Sequence, residues 1–535
     1  MTIQLSRRAL GAAAASSALA APAIAPPIAL AQPAGPTLTI ATGGSIISVD
    51  PHFFNAAPNS SLALHIFNAL VERTHDAKLR PCLATSWRVI EPTLWEFKLR
   101  EGVKWHDGRP FTADDVAFTY ERAPNVPNSP GGFGGFLRSI ARTEIVDPLT
   151  LRFHTHAPNP ILPTELAAIF IVARHAAEGA STEDYNSGKA AIGTGPYKMI
   201  SYRPGDRTEL VRNEEFWGER EPWARVSYRF IANDAARSAA LLAGDFDMID
   251  QVASSDLVRL RREPRVAVAE TVGLRCVYMM PDFSRTGSVP YVTDNAGQPL
   301  AANPFLDVRV RQALSGSISR QAIAERVMEG QATATNQWLP PGVFSYTPDV
   351  TVPTPDVDAA KRLLAAAGFP NGFKLTLHSP NDRFPNDSRI AQAVAQYWTR
   401  IGVQTQVEAL PWASFAGRSN RQDFAIRLSS WGSTTAEAGY MLTNIMMTYS
   451  AQNRTGASNA GRFSSAELDR RTNEAVAIVD DAEREKALQE MVRWVAREVP
   501  IMPLVQLNHS WATKRGLVYT ARMDERTIAM GVRPA

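Results

Sequence analysis

The chain has 535 residues, of which 45% are hydrophobic and 20% are charged, and its formal net charge at pH 7 is +3. This length exceeds that of an ordinary single domain, so we expect two or three domains. The proportions of apolar and charged residues are typical of a soluble globular protein. Because Lys and Arg are scattered among Asp and Glu, the sequence argues against a nucleic-acid partner.

The N-terminus has the pattern of an export signal. Arg7 and Arg8 form a twin-arginine pair, and an Ala-rich, weakly apolar run follows them. An A-x-A cleavage site ends at Ala31, so we predict that residues 1–31 are a twin-arginine signal peptide cleaved after Ala31. The mature protein would then lie in the periplasm. The alternative is a disordered Ala/Pro tail in which the two arginines occur by chance.

The first predicted elements are a strand at residues 37–41 and a helix at residues 60–71. Gly43-Gly44-Ser45 directly follows the strand, where its backbone N–H groups are available to a ligand. Ser45 is therefore a candidate ligand-binding residue.

The clearest strand follows. Trp95, Phe97 and Leu99 alternate with charged residues, which predicts a strand with one buried face. Beyond a turn, Thr112 and Asp115 have the spacing of a capping box at the start of a helix.

The second half of the chain alternates between strands and helices. A strand at residues 373–377, a helix at 388–401 and a strand at 403–407 predict a β-α-β unit with a parallel strand pair. The remaining predicted elements are a hairpin at 143–153, a helix started by Thr354-Pro355, a strand at 424–429, a helix capped by Ser464, a helix at 482–497 and a last strand at 501–507.

The segment at residues 81–122 resembles the signature of a known family, "A-x-S-W … F-x-L-R-x-G-V-x-F/W-H-D-G-x-P-x-T-A-x-D-V". The matching residues are Ala84, Ser86, Trp87, Phe97, Leu99 to Val103, Trp105 to Gly108, Pro110, Thr112, Ala113, Asp115 and Val116. Further landmarks that fit the family lie at residues 193–198, 213–218, 242–247 and 305–314. On these residues the chain is similar to the extracellular solute-binding proteins of family 5, the peptide- and nickel-binding receptors of ABC importers.

The resemblance implies an α/β, bilobal periplasmic-binding-protein fold of the large peptide-receptor type, with two lobes, a hinge and an extra subdomain. The implied segments are lobe I at residues 36–66, 191–283 and 498–535, an extra subdomain packed on lobe I at 67–190, and lobe II at 284–497.

The implied function is the substrate-binding component of an ABC importer. It would capture a small solute in an interlobe cleft and deliver it to permease subunits in the inner membrane. A peptide or peptide-like compound is the first choice of solute; a sugar, an opine or a metal chelate is the alternative. The resemblance also implies a monomer without a cofactor.

A secreted hydrolase is the alternative from a different class. The sequence contains no G-x-S-x-G elbow, H-E-x-x-H motif or Walker P-loop, which disfavours an enzyme. His154 and His156 would share a strand face without a third ligand nearby, so we expect surface histidines rather than a metal site. Cys82 and Cys276 are either a disulfide or two isolated buried thiols.

Ligand-binding candidates lie where strands end, because open α/β sheets bind ligands at that edge. Trp431, Ser433 and Thr434 follow the strand at 424–429, and the resemblance implies that this tryptophan lines the cleft; core packing is its alternative. Asn381 and Arg383 follow the strand at 373–377.

Arg383 has the chemistry to pair with a ligand carboxylate, and its alternative is a salt bridge to Asp382 or Asp387. Tyr278 and Trp338 are further candidates for the cleft wall, with packing as the alternative for each.

One departure from the family pattern concerns the ligand. Peptide-binding members carry an Asp three residues after the cleft tryptophan, as in W-x-x-D, and this carboxylate pairs with the peptide's ammonium. The corresponding position here is Thr434, and Glu437 is the nearest acid downstream. We therefore expect a free α-amine to be poorly accepted unless Glu437 takes over the role.

Overall fold

A computed structural model of the protein describes residues 35–535, which form one compact unit. The predicted signal peptide and its cleavage site after Ala31 lie outside the described residues. None of the helices in the described part of the chain combines the length and apolarity that a membrane crossing requires.

The strands are β1 Thr37–Thr42, β2 Val71–Arg73, β3 Leu79–Pro81, β4 Ala84–Glu91, β5 Leu94–Leu99, β6 Ile140–Asp147, β7 Thr150–Thr155, β8 Tyr197–Arg203, β9 Arg207–Arg212, β10 Arg225–Phe230, β11 Met248–Asp250, β12 Val266–Pro281, β13 Val292–Thr293, β14 Ala332–Ala334, β15 Lys374–Pro380, β16 Gln404–Leu410, β17 Ile426–Gly432, β18 Met502–Lys514, β19 Leu517–Tyr519 and β20 Val532–Pro534.

The α-helices are α1 Ala57–Ile66, α2 Ala113–Arg122, α3 Gly134–Leu137, α4 Leu162–Leu166, α5 Arg174–Ala177, α6 Thr182–Asn186, α7 Asp234–Ala243, α8 Ser254–Arg262, α9 Val308–Gly316, α10 Arg320–Ala322, α11 Val357–Ala366, α12 Asp387–Arg400, α13 Trp412–Asn420, α14 Ala438–Met441, α15 Ala466–Ala477 and α16 Asp481–Glu498. Short 3₁₀ or π turns lie at Ala123–Asn125, Pro304–Leu306, Ile323–Val327, Leu442–Met446 and Ala529–Gly531.

One mixed sheet contains twelve of the strands, in the order β13-β15-β17-β12-β18-β11-β1-β10-β9-β8, with β14 on β18 and β16 on β15. Its central pair, β12 and β18, is antiparallel from Val266 opposite Lys514 to Met279 opposite Met502. The parallel pairing of β15 with β16 confirms the predicted β-α-β unit. The sheet and its helices confirm the predicted α/β class.

The two ends of the β12–β18 pair lie in different hydrophobic clusters. Val277 and Met502 belong to the cluster that also contains Leu377 of β15. Trp511 belongs to the cluster that contains Leu38 of β1. The pair therefore runs from one core to another.

A separate four-stranded sheet, β4-β5-β7-β6, has its own hydrophobic cluster. All fully buried members of that cluster lie between Leu70 and Ala173, inside the segment predicted as an extra subdomain. The division into lobes and subdomain remains a prediction.

The signature segment folds as its pattern predicts, with one addition. Trp95, Phe97 and Leu99 of β5 are buried. Glu96 on the opposite face is only 4% exposed, because Arg88 and Arg152 of the flanking strands contact its carboxylate at 2.8 and 3.0 Å. The predicted capping box at the start of α2 is present.

Several predicted bounds are wrong by a few residues. The helix predicted at 60–71 is α1, which ends at Ile66 because Phe67 is already extended. The strand predicted at 501–507 continues to Lys514, since its second half pairs with β11 and β12, and β19 and β20 follow it.

Two predicted helix starts are also shifted. The helix predicted from Thr354-Pro355 begins after Asp356, whose side chain accepts a hydrogen bond from the Ala359 N–H at 2.8 Å. The cap of α15 is Ser465 rather than Ser464, because the Ser465 hydroxyl accepts from the Leu468 N–H. In both cases the side chain that reaches a free N–H of the first turn sets the start.

The surroundings of the cysteines and histidines bear on the disulfide and metal-site alternatives. Cys82 and Cys276 are both buried and free, so the disulfide alternative is not realised. His154 contacts Glu144 at 2.8 Å. Within residues 35–535, no group of three or more His, Cys, Asp or Glu side chains has the arrangement of a metal site.

The backbone at Gly193 lies very close to the backbone at Ile66, and this contact yields a stability prediction. A Cβ at Gly193 would overlap the carbonyl oxygen of Ile66, a backbone atom that cannot move aside, and this oxygen also accepts the Gly195 N–H at 2.9 Å. We expect Gly193→Ala to lower the free energy of unfolding by about 2 kcal/mol or more, measured by chemical denaturation. The control is Gly135→Ala, where a Cβ meets nothing within 4 Å. Equal stability of the two variants would contradict the close approach.

Candidate functional site

A cavity of about 640 Å³ lies against β17, and we call it the cleft cavity. Its lining comes from β12, the β15–α12 loop, α13, β17 and the segment after β17. The lining side chains used below are Arg275, Tyr278, Arg383, Trp412, Trp431, Thr434, Tyr440, Tyr449 and Arg462.

A second cavity of about 500 Å³ adjoins the cleft cavity. Arg275, Arg383 and Phe384 line both. The other walls of the second cavity come from the end of β11, from β18 and from the segment that carries Glu525. The central β12–β18 pair thus contributes to both cavities.

The outer edge of β17 is open where it meets the cleft cavity. β17 pairs with β12 along its whole length, from Ile426 to Gly432. Its other edge pairs with β15 only at Ile426 and Arg427. From Leu428 to Gly432, no strand among residues 35–535 covers that edge. Alternate backbone N–H and C=O groups therefore face the cavity without a strand partner.

Trp431 and Thr434, two of the candidate ligand-binding residues, both line the cleft cavity. The Trp431 ring packs 5.5 Å from the Tyr440 ring, and its Nε1 has no hydrogen-bond partner in the described part of the protein. Ser433, between them in sequence, is only 4% exposed and does not line this cavity. Tyr278 lines the cavity from β12, and burial raises the pKa of its hydroxyl to about 12.

Arg383 stands at the junction of the two cavities. Its guanidinium lies 4.8 Å from the centre of the Trp412 ring. Asp387 accepts a hydrogen bond from the backbone N–H of Arg383, and Asp382 accepts one from the Trp412 N–H. Neither carboxylate forms an ion pair with the Arg383 side chain within the described residues, so that alternative is not realised. Partial burial and the neighbouring Arg275 lower the pKa of Arg383.

Three candidates lie away from the cleft cavity. Trp338 is 2% exposed in a hydrophobic cluster behind Tyr278, and Asn381 is an exposed residue outside the lining. Ser45 lines a small separate cavity, and the neighbouring Gly43 N–H, which sequence reasoning offered to a ligand, already donates to the Asp250 carboxylate at 2.8 Å.

Glu437 lies on the far side of the same segment. It is 5% exposed and lines a third cavity of about 240 Å³, where its carboxylate is 3.7 Å from the guanidinium of Arg484. Burial raises the pKa of the Glu437 carboxyl to about 7, although the positive charges of Arg484 and Arg73 act to lower it. The Glu437 side chain therefore lines the third cavity and not the cleft cavity.

Sequence reasoning missed several residues of the cavity wall. Trp412, Tyr440 and Arg462 carry no motif and are brought in by segments distant in sequence. Arg275 is three residues from Tyr278, and strict alternation would place the two side chains on opposite faces. Alternation does hold in this part of β12, because Cys276 and Tyr278 enter one hydrophobic cluster and Val277 and Met279 enter another. No pattern in the sequence therefore announces that Arg275 and Tyr278 line the same cavity.

The raised pKa of Glu437 yields a pH prediction. Its folded-state value of about 7 exceeds the ordinary value of 4.5, so the folded protein binds more protons than the unfolded chain between these values. The neutral carboxyl's contribution to stability is complete below pH 4.5 and is lost as the pH rises through 7. Gln cannot ionise, so we expect Glu437→Gln to gain stability relative to wild type as the pH rises from 5 to 8, measured by urea denaturation at each pH.

The matched control is Glu474→Gln on the surface of α15, where the carboxylate is about 60% exposed beside Arg470. Its stability difference from wild type should stay nearly constant over that pH range. A difference for Glu437→Gln that does not change with pH would contradict the raised pKa.

Comparison with known proteins places the chain in a family. The profile of the bacterial extracellular solute-binding proteins, family 5 (middle), matches residues 78–453. Heme-binding protein A of Haemophilus influenzae is 28% identical over 82% of this chain and 81% of its own length. The dipeptide-binding protein of Escherichia coli is 26% identical over 74% of this chain and 76% of its own length.

The fold comparison agrees. The structure of HbpA2 from Haemophilus parasuis superimposes with a TM-score of 0.82, covering 93% of this chain and all of that one at 23% identity. The relatives named above are binding proteins, and the predicted periplasmic-binding-protein fold is confirmed. The chain belongs to the bacterial extracellular solute-binding proteins of family 5.

Proposed function

We propose that the protein is the periplasmic solute receptor of an ABC importer. It captures a small peptide or peptide-like solute in the cleft cavity and delivers it, as a monomer, to permease subunits in the inner membrane. The family and the dipeptide-binding relative, which matches three quarters of this chain, support this function.

The open edge of β17 is the observation that carries the peptide assignment. An extended peptide can add to a free strand edge, because its backbone supplies the complementary N–H and C=O groups. From Leu428 to Gly432 this edge faces a cavity of about 640 Å³, which is large enough for a small peptide. Backbone pairing gives affinity for peptides of many sequences, and the side chains of the wall add selectivity.

A non-peptide solute is the second candidate. Trp412, Trp431, Tyr440 and Tyr449 bring four aromatic rings to the wall of the cleft cavity, and such rings stack on flat solutes. The heme-binding relative is named for a non-peptide solute of that kind. The hydrolase alternative is tested separately, since a receptor returns added peptide unchanged and a hydrolase does not.

The lobes of the receptor would move about the β12–β18 pair. Between Val272 and Cys276 the register of β12 shifts against β18, and Gly273 there leaves no room for a Cβ beside the His509 ring. We place the hinge at this irregularity. It lies about ten residues before the boundary at 283/284 that the sequence suggested.

Export provides a first test. We propose that Arg7 and Arg8 direct the folded protein through the twin-arginine route, with cleavage after Ala31. Replacing both arginines with lysine should abolish most of the periplasmic yield, measured by immunoblot of cell fractions, because that route requires the pair. Unchanged periplasmic yield would reject this route, and a Lys replacement of Arg80 provides the control for an arginine-to-lysine change elsewhere in the chain.

Peptide binding provides the direct test. The cleft cavity offers Thr434 where the W-x-x-D pattern of the family resemblance has an acid, and Glu437 lines a different cavity, so we expect no side chain at this position to pair with an ammonium. We expect calorimetry to show that N-acetylated tri-alanine binds at least as tightly as free tri-alanine. We also expect Arg383→Ala to weaken binding of both about tenfold by removing the carboxylate partner.

The control for that variant is Arg470→Ala, which removes a surface arginine of α15. Tight binding of the free peptide that is lost on acetylation would contradict the expected anchoring. Failure of both peptides, together with binding of a non-peptide solute, would replace the peptide assignment.

A further inference from the structure

The wall of the cleft cavity carries an unbalanced positive charge. Arg275, Arg383 and Arg462 line it, and no Asp or Glu does so among the residues that the structure describes. Three guanidinium groups converging on one cavity repel each other, and an anion would relieve that repulsion.

Arg462 has no acidic partner of its own. Its guanidinium lies 4.0 Å from the centre of the Tyr449 ring, and its Nη1 donates to the Asn459 carbonyl at 3.1 Å. Within residues 35–535 it forms no ion pair, and the same holds for Arg383. Both side chains are therefore positioned by aromatic rings and leave charged N–H groups available to a ligand.

A fourth arginine, buried behind the wall of the cleft cavity, adds to the positive electrostatic potential there. Arg427 is 1% exposed and donates to the carbonyl oxygens of Ser419 and Ala460, at 3.0 and 2.7 Å. Both of those residues line the cleft cavity. Burial lowers the pKa of Arg427 to about 10, and Asp282 is the acid that opposes this shift, but Asp282 is already paired with Arg285 at 2.8 Å.

Glu525 compensates part of this charge from the second cavity. It approaches Arg275 at 3.5 Å and also attracts the Arg383 guanidinium. Arg462 forms no ion pair within the described part of the chain, and no carboxylate there lines the cleft cavity beside it.

We propose that the solute held in the cleft cavity carries at least two carboxylates, one bound by Arg383 with Arg275 and the other by Arg462. This rests on the proposed solute-receptor function and narrows it to a dianionic class. Guanidinium groups fit the planar carboxylate with two parallel hydrogen bonds. Arg462 is then the residue that selects for the second acidic group.

Matched peptides test the second carboxylate. N-acetyl-Ala-Glu-Ala and N-acetyl-Ala-Gln-Ala have the same shape and differ by one charge. Calorimetry with the wild-type protein should show the Glu peptide binding at least about tenfold more tightly. In Arg462→Gln this preference should fall to within about twofold, while affinity for the Gln peptide stays the same. Arg470→Gln, away from the cavity, should keep the full preference.

Equal or weaker binding of the Glu peptide by wild type overturns the proposal and leaves peptide binding standing. A Glu preference that survives in Arg462→Gln also overturns it. Far-UV circular dichroism and the melting temperature without ligand establish that the variant is folded. If it is not, the same comparison is made with Arg383→Gln, for which the affinity for both peptides should fall.

An experiment with non-peptide carboxylates distinguishes the proposed dianion site from the peptide assignment. If neither peptide binds, thermal unfolding is measured with tricarballylate and with butyrate. Stabilisation by tricarballylate alone, lost in Arg462→Gln, supports the dianion site while the peptide assignment fails. No stabilisation by tricarballylate, or stabilisation unchanged in Arg462→Gln, overturns the dianion site as well.

Discussion

The antiparallel pairing of β12 with β18 is the contact on which the rest of the large sheet depends. Strands β11, β1 and β10 continue the sheet on one side of this pair, and β17 and β15 continue it on the other. The two ends of the pair enter different cores, so the backbone hydrogen bonds of this pair connect both cores. The ladder shifts register twice, between Val272 and Cys276 and between Val277 and Tyr278, and Arg275 lies within the first shift, where it lines both large cavities.

Side chains of the segment from Trp431 to Glu437 line two different cavities. Thr434 faces the cleft cavity, whereas Glu437 faces the third cavity beside Arg484. Ala436 between them has a φ of 55°, a left-handed conformation that reverses the chain direction. The single acid of this segment therefore lies beside Arg484 in the third cavity, and no carboxylate of the described residues lines the cleft cavity. That arrangement supports the proposed preference of the cleft cavity for anionic solutes, because the potential there is the sum of several arginine charges.

Much of the candidate site follows from element ends and was available to sequence reasoning. Trp431 lies near the end of β17 and Arg383 follows β15, two parallel strands of the sheet, and both side chains line the cleft cavity. Trp338 lies two residues before Pro340-Pro341, yet it packs in a core, because sequence proximity to a turn does not specify which side of the turn faces solvent. Arg462 has no sequence signal at all, since its position depends on the Tyr449 ring and on a loop that returns to the sheet.

By itself the sequence determined the class of fold, the family and the position of several strands and helices, because periodic burial and local caps depend on neighbouring residues. The alternating β5 and the capping box of α2 are examples. Only the tertiary structure decided that Glu437 lines a different cavity from Thr434, that no strand of residues 35–535 covers the outer edge of β17 from Leu428 onward and that three arginines share one cavity. These features depend on contacts between residues far apart in the chain, and no local pattern records the free energy of such contacts.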